Sequence, residues 1–268
     1  MEQAIGVFDS GVGGLTVARE IMRQLPYESL IYFGDTARVP YGNKSAETVI
    51  RFSKQIVRFL MTKNVKAIVV ACNTASALAL SSLQEEFDVP IIGVIEPGAV
   101  AAVKSTVSKN IGVIATEATV KSGSYNKCLR ILDPKITVVS KACPLFVPLV
   151  EEGLLEDRIT DDVIQRYLHE LKDYQVDALI LGCTHYPLLR NAIGRYMGEE
   201  VKLVNPAYET AKALKALLYE RSMLNEDTSV SPHHAYFVSD GVDNFIKFAD
   251  NVLPADVKMT SLVNIESY

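Results

Sequence analysis

Val65-Lys66-Ala67-Ile68-Val69-Val70-Ala71-Cys72-Asn73-Thr74 and Val176-Asp177-Ala178-Leu179-Ile180-Leu181-Gly182-Cys183-Thr184-His185 are two versions of one pattern. Each starts at Val, runs through apolar residues, and ends in a small residue, Cys, then polar residues that include Thr. The apolar runs are continuous and rich in β-branched residues. Such runs suit strands of a parallel sheet covered on both faces. The two copies lie 111 residues apart. A second pair, Ile5-Gly6-Val7-Phe8 and Ile111-Gly112-Val113-Ile114, repeats at the similar spacing of 106. The two offsets predict a duplicated pair of α/β domains; the competing explanation is chance likeness between hydrophobic strands.

Outward from these pairs, further apolar runs read as strands at 30–33, 91–95, 136–139 and 201–204. Residues 46–63 place Val49, Ser53, Ile56 and Leu60 on one helical face, with Lys63 and Asn64 as a stop. Thr160 is expected to cap a helix running to about Lys172, and 207–222 reads as a long helix. A strand (235–239), a helix (243–251) and an extended piece (257–265) complete the chain. Alternating strand and helix predict an α/β fold of two similar doubly wound, mainly parallel-sheet domains with a site in the cleft between them. The expected division is 1–96 with 207–268, and 97–206.

The composition agrees with this. With 268 residues, 49% hydrophobic and 22% charged, the chain has a globular profile rather than a disordered one. A chain of this length buries a large core without disulfides or structural metals. The net charge of −5 argues against nucleic acid or an anionic membrane as partner, while leaving room for a local anion site. No run approaches a membrane span, and Met-Glu-Gln-Ala lacks the start of a signal peptide. A cytoplasmic location follows as the expectation, with Cys72, Cys128, Cys143 and Cys183 as free thiols.

Ligands of open parallel sheets bind beyond the carboxyl ends of the strands. Four segments fall there. Asp9-Ser10-Gly11-Val12-Gly13-Gly14-Leu15-Thr16 offers backbone N–H groups at a helix start, an anion cradle. It is not a dinucleotide fingerprint, because position 16 is Thr. A plain strand-to-helix turn explains its glycines but not its Asp9-Ser10 pair. Gly34 to Asn43 is a Pro/Gly-containing loop after a strand, of a kind that often carries binding groups. Ala71-Cys72-Asn73-Thr74-Ala75-Ser76 and Gly182-Cys183-Thr184-His185-Tyr186-Pro187 each put a cysteine at a strand end and a helix mouth, where a thiol pKa is expected to fall. One such cysteine is more often buried structure than chemistry; two at equivalent repeat positions reverse that balance. The wide spacing and the absence of Cys-x-x-Cys disfavour a metal site or redox disulfide. A Cys183/His185 hydrolase leaves the second cysteine without a role. Two opposed thiols suit inversion of a carbon centre, one as base and one as acid, with no cofactor. Cys128 and Cys143 read as structural, and His169, His233 and His234 as solvated surface.

These segments, together with Cys143-Pro144-Leu145-Phe146-Val147-Pro148-Leu149-Val150-Glu151-Glu152-Gly153, closely resemble the cofactor-independent aspartate/glutamate racemase family from residue 5 to about 210. The resemblance implies two α/β domains around a cleft, with the C-terminal segment returning to the first. It implies Cys72 and Cys183 as the acid/base pair. Asp9, Ser10, Tyr41, Gly42, Asn73, Thr74, Thr184 and His185 are implied as substrate contacts. Asp9 and His185 would also assist the thiols, and Asp35, Glu151 and Thr116 match further polar positions. The implied reaction is interconversion of L- and D-glutamate, supplying peptidoglycan synthesis, with no cofactor and no metal. Family members are often homodimers, and the sequence shows no interface. Aspartate as substrate, or a non-catalytic amino-acid-binding protein using the same cleft, remain as rivals.

Overall fold

Continuous apolar strands need helices on both faces, and this chain supplies them twice. The structure, a computed structural model, describes residues 3–227, 229, 231–254 and 257–268. In chain order the first elements are β1 (Ala4–Asp9), α1 (Leu15–Gln24), β2 (Leu30–Gly34), α2 (Ala46–Met61), β3 (Val65–Val70), α3 (Asn73–Leu78), α4 (Leu80–Glu86), β4 (Ile91–Gly93) and α5 (Ile95–Ser105). The next are β5 (Asn110–Ala115), α6 (Glu117–Ser122), α7 (Ser124–Leu132), β6 (Thr137–Ala142), α8 (Phe146–Glu151), α9 (Arg158–Asp173), β7 (Ala178–Gly182), α10 (Arg190–Met197) and β8 (Lys202–Val204). The last are α11 (Pro206–Glu220), β9 (Ala235–Val238), α12 (Val242–Val252) and the two-residue β10 (Ser261–Leu262).

Two parallel sheets result, in the orders β10-β9-β2-β1-β3-β4 and β6-β5-β7-β8. The block β2-β1-β3-β4 has the same order as β6-β5-β7-β8, so β5 takes the place of β1 and β7 that of β3. This is the arrangement the repeated sequence pairs predict. Every residue of β1, β3 and β7 is buried. Two apolar clusters flank each sheet: around Val7 and Leu214 and around Phe33 and Leu60 for the first, and around Leu179 and Leu168 and around Val113 and Leu129 for the second. The expected division at 96/97 falls within the first turn of α5, which leads from one sheet to the other. Among the described residues no helix is long and apolar enough to cross a membrane.

Local chemistry sets the helix limits. Ser45 caps α2 by accepting from the Thr48 N–H at 3.3 Å, and Val49, Ser53, Ile56 and Leu60 are all buried. Asn64 then takes the left-handed conformation, φ 56°, that a short polar side chain tolerates. The cap expected at Thr160 lies elsewhere. Asp157 caps α9, its carboxylate accepting from the Ile159 N–H at 2.8 Å, and Thr160 is buried inside the first turn, donating to the Leu154 carbonyl at 2.5 Å. An ionised carboxylate is the better acceptor for a helix N–H. Of the extended piece expected at 257–265, only Ser261–Leu262 pairs as strand; Asn264 then caps a 3-10 turn at Ile265–Ser267. His169 and His233 are exposed as expected, whereas His234 is half-buried.

At the foot of the first sheet Lys66 and Glu28 form a buried ion pair, Nζ to Oε2 2.7 Å. Lys66 also donates to the Met223 carbonyl at 2.7 Å, and Glu28 accepts from the Asn225 N–H at 2.8 Å. The pair thus pins the chain leaving α11 beneath the sheet. Removing one member of a buried pair strands the other, which costs about 3 kcal/mol or more. Lys66→Met is therefore expected to lower the urea unfolding midpoint by that equivalent, whereas Lys212→Met, on an exposed pair with Glu209, should leave it nearly unchanged. Denaturation followed by circular dichroism checks both.

Candidate active site

The loops that follow β1, β2, β3, β5, β6 and β7 meet around one cavity of about 490 Å³. Cys72 and Cys183 both line it, one from each sheet. Ser10, Tyr41, Gly42, Asn73, Thr74, Thr184 and His185 line it too, as do Thr116 and Glu151. Asp9 does not: it is 1% exposed and sits behind the wall. Its carboxylate turns back to accept from the Gly11 N–H at 3.0 Å. The anion cradle expected for a ligand at this turn is thus occupied, in part, by the chain's own Asp9. A larger cleft of about 880 Å³, bordered by α8 and α12, shares Gly11, Val39 and Glu151 with the cavity but contains neither cysteine.

The two halves approach closely here. A Cβ on Gly13 would fall 2.4 Å from Thr184 Oγ1 and 2.5 Å from His185 Nδ1, so only glycine allows the contact. Thr16 Oγ1 donates across to the Thr184 carbonyl at 2.9 Å. Gly42 meets Thr116 in the same way, with a Cβ 2.9 Å from that of Thr116. On the opposite wall Thr74 and Thr116 form a ring of hydroxyls with the buried Thr119 behind them, at 2.9, 2.9 and 3.2 Å. Tyr125 donates to Asn73 Oδ1 at 2.7 Å, leaving the Asn73 amide nitrogen as a donor. Thr119 and Tyr125 were not singled out from the sequence. The three-residue step from Thr116 to Thr119 on a helical turn was the available signal for the first.

The thiols have different surroundings. Cys72 caps α3, its Sγ accepting from the Ala75 N–H at 3.5 Å and donating to Ser10 Oγ at 3.6 Å. Burial pushes its pKa up to about 12, reinforced by the nearby Asp9 carboxylate and opposed by the Ala75 N–H and Ser10. The lowered thiol pKa expected at this helix mouth is overturned: desolvation outweighs the short helix. Cys183 Sγ lies 3.8 Å from His185 Nδ1, and His185 Nε2 lies 3.0 Å from Glu151 Oε1. Burial works to lower His185, but Cys183 and Glu151 overcome it and hold its pKa up at about 10. Burial raises Asp9 despite His185 and the turn's N–H groups. Cys143 is fully buried, donating to the Lys141 carbonyl at 3.7 Å, and Cys128 is half-buried against the second sheet's core.

Asp35 is fully buried beneath the cavity loop, accepting from the Tyr41 hydroxyl and from Arg38 Nε at 2.8 Å. Arg38, the cation of that loop, is turned away from the cavity. The wall is therefore rich in hydroxyl, amide and thiol groups, with His185 as its cation and Glu151 and Glu117 as its carboxylates.

Comparison with known proteins agrees with this geometry. The sequence matches the family model described as Asp/Glu/Hydantoin racemase over residues 5–214. It is 49% identical to a glutamate racemase of Geobacter metallireducens over 99% of this chain and 98% of that one. It is 48% identical to one of Oceanobacillus iheyensis over 94% and 92%. A crystal structure of a glutamate racemase isoform from Bacillus anthracis superposes with TM-score 0.94 at 44% identity, covering 97% of each chain. That of the Francisella tularensis glutamate racemase in complex with D-glutamate gives 0.93 at 39%, covering 100% of this chain and 99% of that one. This chain belongs to the Asp/Glu/Hydantoin racemase family.

Proposed function

We propose that this chain interconverts L- and D-glutamate by proton transfer at the α-carbon, with Cys72 and Cys183 as the two acid/base groups. The observation that carries the reading is the pair of thiols at equivalent strand ends of two like-ordered sheets, both lining one cavity. Inversion needs a base on one face of the carbon and an acid on the other. Residues 1–96 with 207–268 supply one face and 97–206 the other. The product would feed peptidoglycan assembly in the cytoplasm.

The two thiols have different neighbours. Cys72 is held as the thiol, ready to donate. His185, whose pKa is held up at about 10, lies 3.8 Å from Cys183 Sγ, where it would stabilise negative charge that develops on the sulfur. One turnover moves the carbon's proton to the Cys183 side and delivers the Cys72 proton to the opposite face. The reverse reaction begins with these roles exchanged. Ser10, Asn73, Thr184, Thr74 and Thr116 offer neutral donors for the two substrate carboxylates, each a modest contribution that together fixes the pose, with Thr119 behind them holding Thr74 and Thr116. Tyr41 and Gly42 close the cavity over the substrate. Asp9 acts from behind the wall, through its field on Cys72, rather than by contact.

In deuterated water, purified chain free of pyridoxal phosphate should exchange the α-proton of either glutamate enantiomer and abolish optical rotation from both sides. Retention of the α-proton from both sides would sink the reading. A substrate panel including aspartate tests the choice of acid. Cys72→Ser and Cys183→Ser should each lower kcat by about a thousand-fold. A binding protein would instead keep glutamate affinity with both cysteines replaced and show no exchange. A raised thiol pKa leaves little thiolate, so at pH 8 iodoacetamide should alkylate Cys72 about 30-fold more slowly than an unperturbed thiol, with the rate climbing as pH approaches 12. Mass spectrometry of the modified peptide reads this.

A further inference from the structure

We propose that the C-terminal segment positions the substrate loop, with Ser239 and Glu266 as positioning residues that act through Asp35 and Arg38 on Tyr41 and Gly42. The proposal rests on the reading that this loop closes over glutamate. The loop Val39–Asn43 lines the cavity with every residue, yet its anchors come from the far end of the chain. Ser239 Oγ donates to Asp35 Oδ1 at 2.9 Å and accepts from the Ala37 N–H at 2.9 Å. Thr36 Oγ1 donates to the Asp240 carbonyl at 2.5 Å and accepts from the Asp240 N–H at 3.0 Å.

Arg38 is the hub. Its Nε donates to both Asp35 oxygens, at 3.0 and 2.8 Å. Its Nη1 donates to Gln55 Oε1 at 2.6 Å and to Glu266 Oε1 at 3.1 Å. The guanidinium lies 4.0 Å from the centre of the Phe52 ring, which also packs against Tyr41. Asp35 in turn accepts from the Tyr41 hydroxyl. None of Asp35, Arg38, Gln55, Phe52, Ser239 or Glu266 lines the cavity, so this is a brace and not a carboxylate clamp. A brace of this kind fixes where Tyr41 and Gly42 stand without touching substrate, and its loss weakens ground-state binding and transition-state binding alike. Such a loss raises KM and spares kcat. Residues 239 and 266 also lie beyond the stretch matched by the family model.

The test compares full-length Glu266→Gln, Ser239→Ala, the double variant and Ser239→Thr. Glu156→Gln, on an exposed pair with Arg195, is the control. Glu266 is largely exposed, so its single variant should raise KM for glutamate about 3-fold, and the double variant about 10-fold. kcat should stay within about twofold, and Ser239→Thr and the control should match the parent. Hydrogen exchange over residues 36–44 should speed up in the double variant, with thermal midpoints recorded alongside. An unchanged KM and unchanged exchange in the folded double variant overturn the proposal. So does a fall in kcat that tracks the thermal midpoint, which marks general destabilisation. If the parent itself fails to racemise glutamate while exchange over 36–44 still speeds up, the functional reading falls and the brace stands.

Discussion

Asp9 is a carboxylate removed from water at the end of the first strand, and much of the site is arranged around making that tolerable. A buried charge needs hydrogen bonds and an opposite charge. The Gly11 N–H supplies the first, from a turn that must be tight enough to bring it back onto its own strand end. His185, from the other half of the molecule, supplies the second. That imidazole reaches Asp9's turn only because position 13 has no Cβ. The glycines of the first loop, the approach of the two sheets and the charge on His185 are thus parts of one electrostatic arrangement. Its consequence for Cys72 is direct: a nearby anion in a dry setting favours the neutral thiol.

The two halves share a strand order, but they do not treat their thiols alike. Cys72 is held by a backbone N–H and a serine hydroxyl, both neutral. Cys183 stands at the end of a line of titratable groups, His185 and then Glu151, whose side chain is 47% exposed. A reaction that runs both ways needs each thiol to serve as acid and as base, yet mirror-image surroundings are not required for that. What is required is one proton between two sulfurs and a substrate that can accept it from either. The like order of the two sheets gives the two thiols equivalent strand-end positions, while their neighbours differ in kind.

The sequence carries the fold clearly because buried parallel strands leave a strong trace: long apolar runs with no polar interruption, as at 67–70 and 178–181. The cysteines were legible for a related reason, since each interrupts the pattern at a strand end. The losses are equally physical. Thr160 looks like a cap by residue type, but the helix starts three residues earlier, where Asp157 caps it through the Ile159 N–H. The lowered pKa expected for Cys72 fails because a helix mouth is visible in sequence, whereas desolvation depends on what packs above it. For Asp9 the sequence does not say how the turn sets its carboxylate, whose Oδ2 accepts from the Gly11 N–H. Tyr125 to Asn73 and Thr119 to Thr74 are contacts across 52 and 45 residues, which single-sequence patterns do not record.

In the C-terminal segment the strand and helix expected at 235–239 and 243–251 form, and only their anchoring contacts to the rest of the chain were unreadable. Its composition is unremarkable after Glu220, yet β9 completes the first sheet beside β2, and β10 adds an edge to β9. The first sheet is therefore built from both ends of the chain, while the second is closed within residues 110–204. Closing the first requires contacts across some 200 residues, such as Asp35 to Ser239, which carry the larger loop-closure cost. The loop over the cavity depends on that closure. Its one arginine is drawn away from the cavity into these contacts, so the wall is left with hydroxyls, amides, backbone and His185 as its donors. Many weak neutral donors work only if each is held in place, and a loop anchored by the last element of the fold satisfies that condition only when the whole chain has folded.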